Sequence, residues 1–224
     1  MKYELMGIGA YPAVKVMLDR GEKLTAESGA MVSMKTVDIE TTSRGGIMGG
    51  LKQKLLGGES FFVNHFTSPN DGGEVVLAPI LPGDIQVREL HGETVYLQSG
   101  ASLGMVGNLD VDTKWKGWKN FFAGEGFFML KISGNGTLFY NCFGAMYEVN
   151  ISSGQTHVVD TGHIVMFDEG LSYAVRTFGG VKSFLFSGEG LVAEFTGSGK
   201  LMVQTRNIPG FVSWMAAHLP TKTS

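Results

Sequence analysis

The chain has 224 residues, 33 of them Gly and 6 Pro, with 43% apolar residues, 17% charged residues and a net charge of −3. That apolar content supports a substantial core and excludes a disordered or collagen-like chain, and no apolar run is long enough to span a bilayer as a helix. The single Cys, Cys142, excludes a disulfide framework or a cysteine-clustered metal site, and the weakly acidic balance supplies no whole-molecule field for nucleic acid, leaving only local basic patches.

The N-terminal stretch carries Lys2 and Glu4, and its apolar residues are interrupted by Pro12 and Lys15. This is not the layout of a secretory signal, so the expected compartment is the cytoplasm. From there the chain reads as short runs rich in Val, Ile, Phe, Tyr and Thr, each ended by Gly, Asn, Asp or Ser: VKVML from Val14, VDIETT from Val37, EVVLAP from Glu74 and DIQVREL from Asp84. NLDVDT from Asn108, TLFYNCF from Thr137, YEVNIS from Tyr147, YAVRT from Tyr173 and KLMVQT from Lys200 continue the series. Alternation such as Asp84-Ile85-Gln86-Val87-Arg88 puts one face on a core and the other in water. Two short helices are predicted, one from Gly50 to Leu56 and one from Pro209 to His218, where Pro at a first helical position precedes the Phe211, Met215, Leu219 spacing. The fold class is all-β.

Laid on itself, the chain repeats. VKVMLDRGEKLTAESGAMV from Val14, IQVRELHGETVYLQSGASL from Ile85 and YEVNISSGQTHVVDTGHIV from Tyr147 align without a gap. The step from Gly21 to Gly92 equals that from Ser28 to Ser99, and the step from Gly92 to Gly154 equals that from Ser99 to Thr161. A second block follows each first one, beginning at Gly50, Gly117 and Gly180 and holding Gly-Glu at Gly58-Glu59, Gly124-Glu125 and Gly188-Glu189. A third landmark, DGG from Asp71, GNG from Gly134 and GSG from Gly197, reads as a hairpin turn in each copy. The repeats predict three β-modules, 1–80, 81–143 and 144–206, sharing one domain, with a tail over 207–224 that holds a short helix.

GEKLTAESGAMV, GGIMGGLKQKLLGGESFF, LAPILPGDI and VYLQSGASL resemble the family of the altered-inheritance-of-mitochondria protein of type 24, over nearly the whole chain from Met1 to the NIPGF segment at Asn207. The resemblance implies a fold similar to the tryptophan RNA-binding attenuation protein (TRAP-like), a short variant of the double-stranded β-helix. It also implies a homotrimer whose three modules per chain form a pseudo-threefold ring of nine. It carries over no catalytic residue, substrate or cofactor. Fungal mitochondrial members are larger and linked to inner-membrane organisation; this chain looks like a prokaryotic member.

A residue present in all three modules is first explained by the architecture of the module. Lys52, Lys119 and Lys182 each follow Gly and an apolar residue and stand at nearly the same distance before their Gly-Glu, so they are equivalent in a threefold repeat. In a trimer they form a ring able to bind phosphate, anionic lipid headgroups or an RNA backbone, or else they guard strand edges. Glu59, Glu125 and Glu189 read as turn residues or partners of nearby Lys. The segment KWKGWKNFF sets Lys114, Lys116 and Lys119 among Trp115, Trp118, Phe121 and Phe122, a composition suited to a membrane interface, to stacked bases, or to burial between modules. His65, His91, His157, His163 and His218 show no metal-binding spacing, no nucleophile elbow is present, and Cys142 lies in an aromatic run that favours a buried thiol. The expectation is therefore a non-catalytic binding or scaffold protein without metal or cofactor, cytoplasmic or peripheral to a membrane, with an anionic membrane surface or protein as partner. A ring binding single-stranded RNA or a small ligand is the alternative.

Overall fold

A computed structural model describes residues 1–7, 9, 11–43, 62–113, 128–177 and 191–219. The chain is all-β apart from short 3₁₀ turns and one helix among these residues. In order the strands are β1 (Lys2–Met6), β2 (Ala13–Leu18), β3 (Lys23–Glu27), β4 (Met31–Lys35), β5 (Asp38–Ser43), β6 (Phe62–Thr67), β7 (Gly73–Leu77) and β8 (Ile85–Gln98). They continue as β9 (Ser102–Asp112), β10 (Met129–Asn141), β11 (Met146–Ile151), β12 (His157–Asp160), β13 (Ile164–Asp168), β14 (Leu171–Thr177), β15 (Leu191–Gly197) and β16 (Gly199–Gln204). Helix α1 (Ile208–His218) follows, with Pro209 in its first turn and the Asn207 side chain accepting the Gly210 N–H as N-cap. The helix predicted over 50–56 lies outside the described residues.

The strands form three antiparallel sheets: four strands in the order β1-β2-β7-β4, nine in the order β11-β16-β13-β8-β10-β9-β3-β6-β5, and three in the order β12-β15-β14. Alternation sets the registers. In β2 every second residue is buried, and Val14 and Val16 stand opposite Leu77 and Val75 of β7, so the apolar halves of both strands face the same core. A first buried cluster takes Val14, Val16, Leu24, Phe66, Val75 and Leu77 together with Leu103 and Phe139 from the middle of the chain. A second centres on Val95, Leu97, Leu130, Ile132 and Val165, and a third on Tyr96, Ile164, Phe167, Phe195 and Leu201. In the third, Phe167 stacks on Tyr96 at 4.9 Å between centroids and meets Phe195 edge-on at 5.3 Å.

The glycine landmarks serve differently from the expected hairpin turns. Gly134 lies inside β10, and the strands flanking the DGG and GSG landmarks, β6 with β7 and β15 with β16, belong to different sheets. They are corners at which the chain passes from one layer to another. Gly134 takes φ +115° and Gly197 φ +108°, and a Cβ at either would run into a backbone carbonyl, of Asn108 or Gly170 respectively. The same bending lets β8, β9 and β10 extend to 14, 11 and 13 residues, longer than the short runs predicted, because the ladder continues through the corner.

Three crossover segments stack beside one another. Gly144 N–H donates to the Pro82 carbonyl and Asp84 N–H to that of Gly144, both at 3.0 Å. On the other side Thr205 N–H donates to the Ala145 carbonyl at 3.0 Å and Arg206 N–H to that of Phe143 at 3.2 Å. Gln204, buried, fastens this ladder from within by accepting the Phe143 N–H and donating to the Gly162 carbonyl.

Candidate functional site

Lys52, Lys114, Trp115, Lys116, Trp118, Lys119 and Lys182, with Glu59, Glu125 and Glu189, lie outside the described residues. The strands on either side of their segments are described. β5 pairs with β6 out to Ser43 opposite Phe62, β9 with β10 out to Asp112 opposite Lys131, and β14 with β15 out to Thr177 opposite Leu191. The borders of all three segments therefore sit at corresponding ends of three antiparallel strand pairs.

The histidines are dispersed. His65 Nδ1 lies 2.9 Å from the Thr25 hydroxyl, and His218 Nδ1 donates to the Trp214 carbonyl at 2.7 Å. His163 Nδ1 is 2.7 Å from the Gln204 carbonyl, which can only accept, so the proton sits on Nδ1 and Nε2 accepts from the Asn207 amide at 2.7 Å. Since Asn207 also caps α1, His163 ties the helix to the crossover ladder. Among the described residues no group of three or more His, Cys, Asp or Glu could hold a metal ion. Cys142 is buried with its sulfur 3.1 Å from the Gly144 carbonyl, and burial pushes its thiol up to about 11. Burial likewise pushes the Tyr140 hydroxyl up to about 12.

One charged network crosses between strands distant in sequence. Arg88 on β8 meets Asp168 on β13 at 3.3 Å, and the other Asp168 oxygen accepts the Lys200 N–H at 3.0 Å. The Lys200 ammonium reaches Glu148 at 3.0 Å, and that hydrogen bond holds the Glu148 carboxyl below its usual range. These groups tie β13, β8, β11 and β16 together across the sheet.

What the structure adds is surface. All five residues of β4 are exposed, including Met31, Val32 and Met34, and among the described residues β4 is hydrogen-bonded on one side only, to β7. Among the described residues β12 is likewise paired only with β15, and it exposes Val158. Helix α1 buries no residue completely and presents Phe211, Val212, Trp214 and Met215, with Leu219 exposed just beyond its end. Beside it an apolar cleft of about 420 Å³ is lined by Phe143, Arg206, Asn207, Phe211 and Trp214. Neither edge is legible as an edge in the sequence, because Met31-Val32-Ser33-Met34 and the interior Ser102-Leu103-Gly104-Met105 share the same apolar character.

A family model described as mitochondrial biogenesis AIM24 matches residues 3–206. A protein of Streptococcus pyogenes serotype M6, described as uncharacterized, is 28% identical over 223 residues, covering 96% of this chain and 89% of that protein. An X-ray crystal structure of a Streptococcus pyogenes protein from a structural genomics consortium superposes with a TM-score of 0.81 at 27% identity, covering 97% of this chain and 99% of that one.

Proposed function

The chain belongs to the mitochondrial biogenesis AIM24 family, and on that premise we propose that it is a non-catalytic, oligomeric binding or scaffold protein, a homotrimer whose three TRAP-like modules per chain make a pseudo-threefold ring. The observation that carries this reading is the exposed apolar edge strand β4, with Val32 62% exposed, because a long-lived monomer does not leave an unpaired apolar strand edge to water. The module reading is supported by the aligned glycines. Gly21, Gly92 and Gly154 have φ of 78°, 106° and 87°, and Gly134 and Gly197, which open the third landmark in two copies, have φ of 115° and 108°, while in the first copy the positive φ, 84°, falls one residue later at Gly72. The stacked crossovers at 82–84, 142–145 and 205–206 fall at the boundaries of modules 1–80, 81–143 and 144–206.

In the ring, Lys52, Lys119 and Lys182, with the Lys114, Trp115, Lys116 and Trp118 cluster, supply a multivalent cationic and aromatic face toward an anionic membrane surface or a protein complex. The protein then works in the cytoplasm or peripherally at a membrane. Among the described residues no helix is long and apolar enough to cross one. Native mass spectrometry should show a trimer, and replacing Lys52, Lys119 and Lys182 with Glu should abolish sedimentation with anionic liposomes while keeping that mass. Unchanged liposome binding by the triple variant rejects the lysine face. Salt-dependent retention of single-stranded RNA without liposome affinity replaces the membrane reading by the nucleic-acid one.

A further inference from the structure

Two strand seams inside the chain are built alike. At the first, β3 pairs with β9 through Leu24 opposite Val106, Thr25 opposite Met105 and Ala26 opposite Gly104. At the second, β8 pairs with β13 through Val95 opposite Asp168, Tyr96 opposite Phe167 and Leu97 opposite Met166. Leu24 stands to Val95 as Gly21 stands to Gly92, and Val106 stands to Asp168 as Gly92 stands to Gly154, so the spacings that align the repeats also relate the seams. The register is the same to the residue in both.

Each kind of strand occurs a third time without its partner. Carried forward by the Gly92-to-Gly154 spacing, Val95, Tyr96 and Leu97 become His157, Val158 and Val159 on β12. Carried back by the Gly21-to-Gly92 spacing, Val106, Met105 and Gly104 become Lys35, Met34 and Ser33 on β4. Among the described residues both of these strands are paired on one side only. Even the irregularity repeats: the register of β4 on β7 shifts between Met31 and Ser33, that of β13 on β16 between Ile164 and Met166, and β9 on β10 skips Leu103. The bulged side chains Leu103 and Val165 are fully buried, whereas Val32 is 62% exposed. Met105 and Phe167 are buried where Met34 is exposed, and Tyr96 is buried where Val158 is exposed.

Sheet order makes the same point. The run β11-β16-β13-β8-β10-β9 crosses the second seam, and β8-β10-β9-β3-β6-β5 crosses the first. The matching third run is β2-β7-β4 followed by β12-β15-β14, whose halves form two separate sheets in one chain. From these correspondences, and resting on the oligomeric reading above, we propose that β4 of one copy pairs antiparallel with β12 of a second copy, with Lys35 opposite His157, Met34 opposite Val158 and Ser33 opposite Val159. The contact joins a four-stranded and a three-stranded sheet into one continuous sheet and covers Val32 and Met34. It uses different surfaces on the two copies, so it is head-to-tail and propagates until rotation closes a ring.

The pairing is tested with Met34→Cys/Val158→Cys, since side chains directly opposite across strands have Cβ atoms about 4.5–5.5 Å apart, close enough to oxidise with small backbone adjustment. Under mild oxidation the double variant should give covalent oligomers up to the native mass, and neither single variant should, because Cys142 is buried. A slipped pair, Met34→Cys/Val159→Cys, places the second thiol on the other face of the strand and should stay uncross-linked. Val32→Asp, at a position exposed in the single chain, should leave the circular dichroism spectrum unchanged and dissociate the oligomer. An oligomer that resists Val32→Asp, fails to cross-link at Met34 and Val158, or links equally well through the slipped pair overturns this seam and leaves the oligomeric reading standing. A native mass of one chain overturns both.

Discussion

Phe167 is a fully buried ring packed among aromatic neighbours. It is 1% exposed and contacts Tyr96 across the strand, Phe195 at 5.3 Å and Tyr173 at 5.7 Å. Truncation to Ala removes a fully buried ring, and large-to-small changes of this kind cost about 3–5 kcal/mol, the upper end applying where neighbours cannot collapse into the void. Collapse is hindered here because Tyr96 is held in the β8–β13 ladder and Phe195 stands opposite Tyr173 in the β14–β15 ladder, so the three rings are fixed on three strands of two sheets. Against a domain stability of about 5–15 kcal/mol, Phe167→Ala therefore removes about a fifth of the total or more. In urea, with a slope of about 3 kcal/mol per molar for a chain this size, the midpoint should fall by about 1–1.7 M. Unfolding is followed by tyrosine and tryptophan fluorescence at two or more protein concentrations, so that subunit dissociation is separated from unfolding. A midpoint that moves by less than about 0.3 M, which at this slope is about 0.9 kcal/mol and less than a third of the change expected for a clamped ring, would mean that Phe167 is not held between sheets and that the layered packing is wrong.

Two further outcomes follow from other positions. Gly134→Ala should destabilise by about 2 kcal/mol or more, because it adds a carbonyl collision to a left-handed backbone, whereas Gly92→Ala, with φ +106° and nothing within 4 Å of the added carbon, should cost only about 1 kcal/mol; equal costs in parallel denaturation curves would refute the corner argument. Cys142 holds its proton more tightly folded, near 11 against an ordinary 9.0, so its contribution to stability is complete below pH 9 and is lost as the pH rises toward 11. Stability measured across that window should therefore fall more steeply for the native chain than for Cys142→Ala, and identical slopes would show that the thiol is solvated.

Strand content is readable because β2, β7 and β16 alternate or run apolar between turn residues, and α1 because Asn207 and Pro209 mark its start. Sheet order is not readable. A glycine at positive φ closes a hairpin or bends a strand equally well, so GNG at Gly134 reads as a turn although its neighbours continue one ladder. The edges are hidden for a related reason. Whether Val32 is core or surface depends on a strand supplied from across a gap, and no property of Val32 itself encodes that. The lysine and tryptophan positions singled out by composition fall outside the described residues, so they inform the proposal through spacing alone.

The continuous strands β8, β9 and β10 also govern how sequences of this type can change length. Around Gly21 and Gly154 the chain turns through residues 19–22 and 152–156, which belong to no strand, so an added residue is absorbed locally. At Gly92 and Gly134 one strand carries on into the next layer, and an inserted residue would rotate every following side chain of β8 or β10 to the opposite face. Insertions and deletions among relatives should accumulate at the two outer turns and be purged from β8 and β10, which makes those strands a ruler against which drift in the outer turns can be measured.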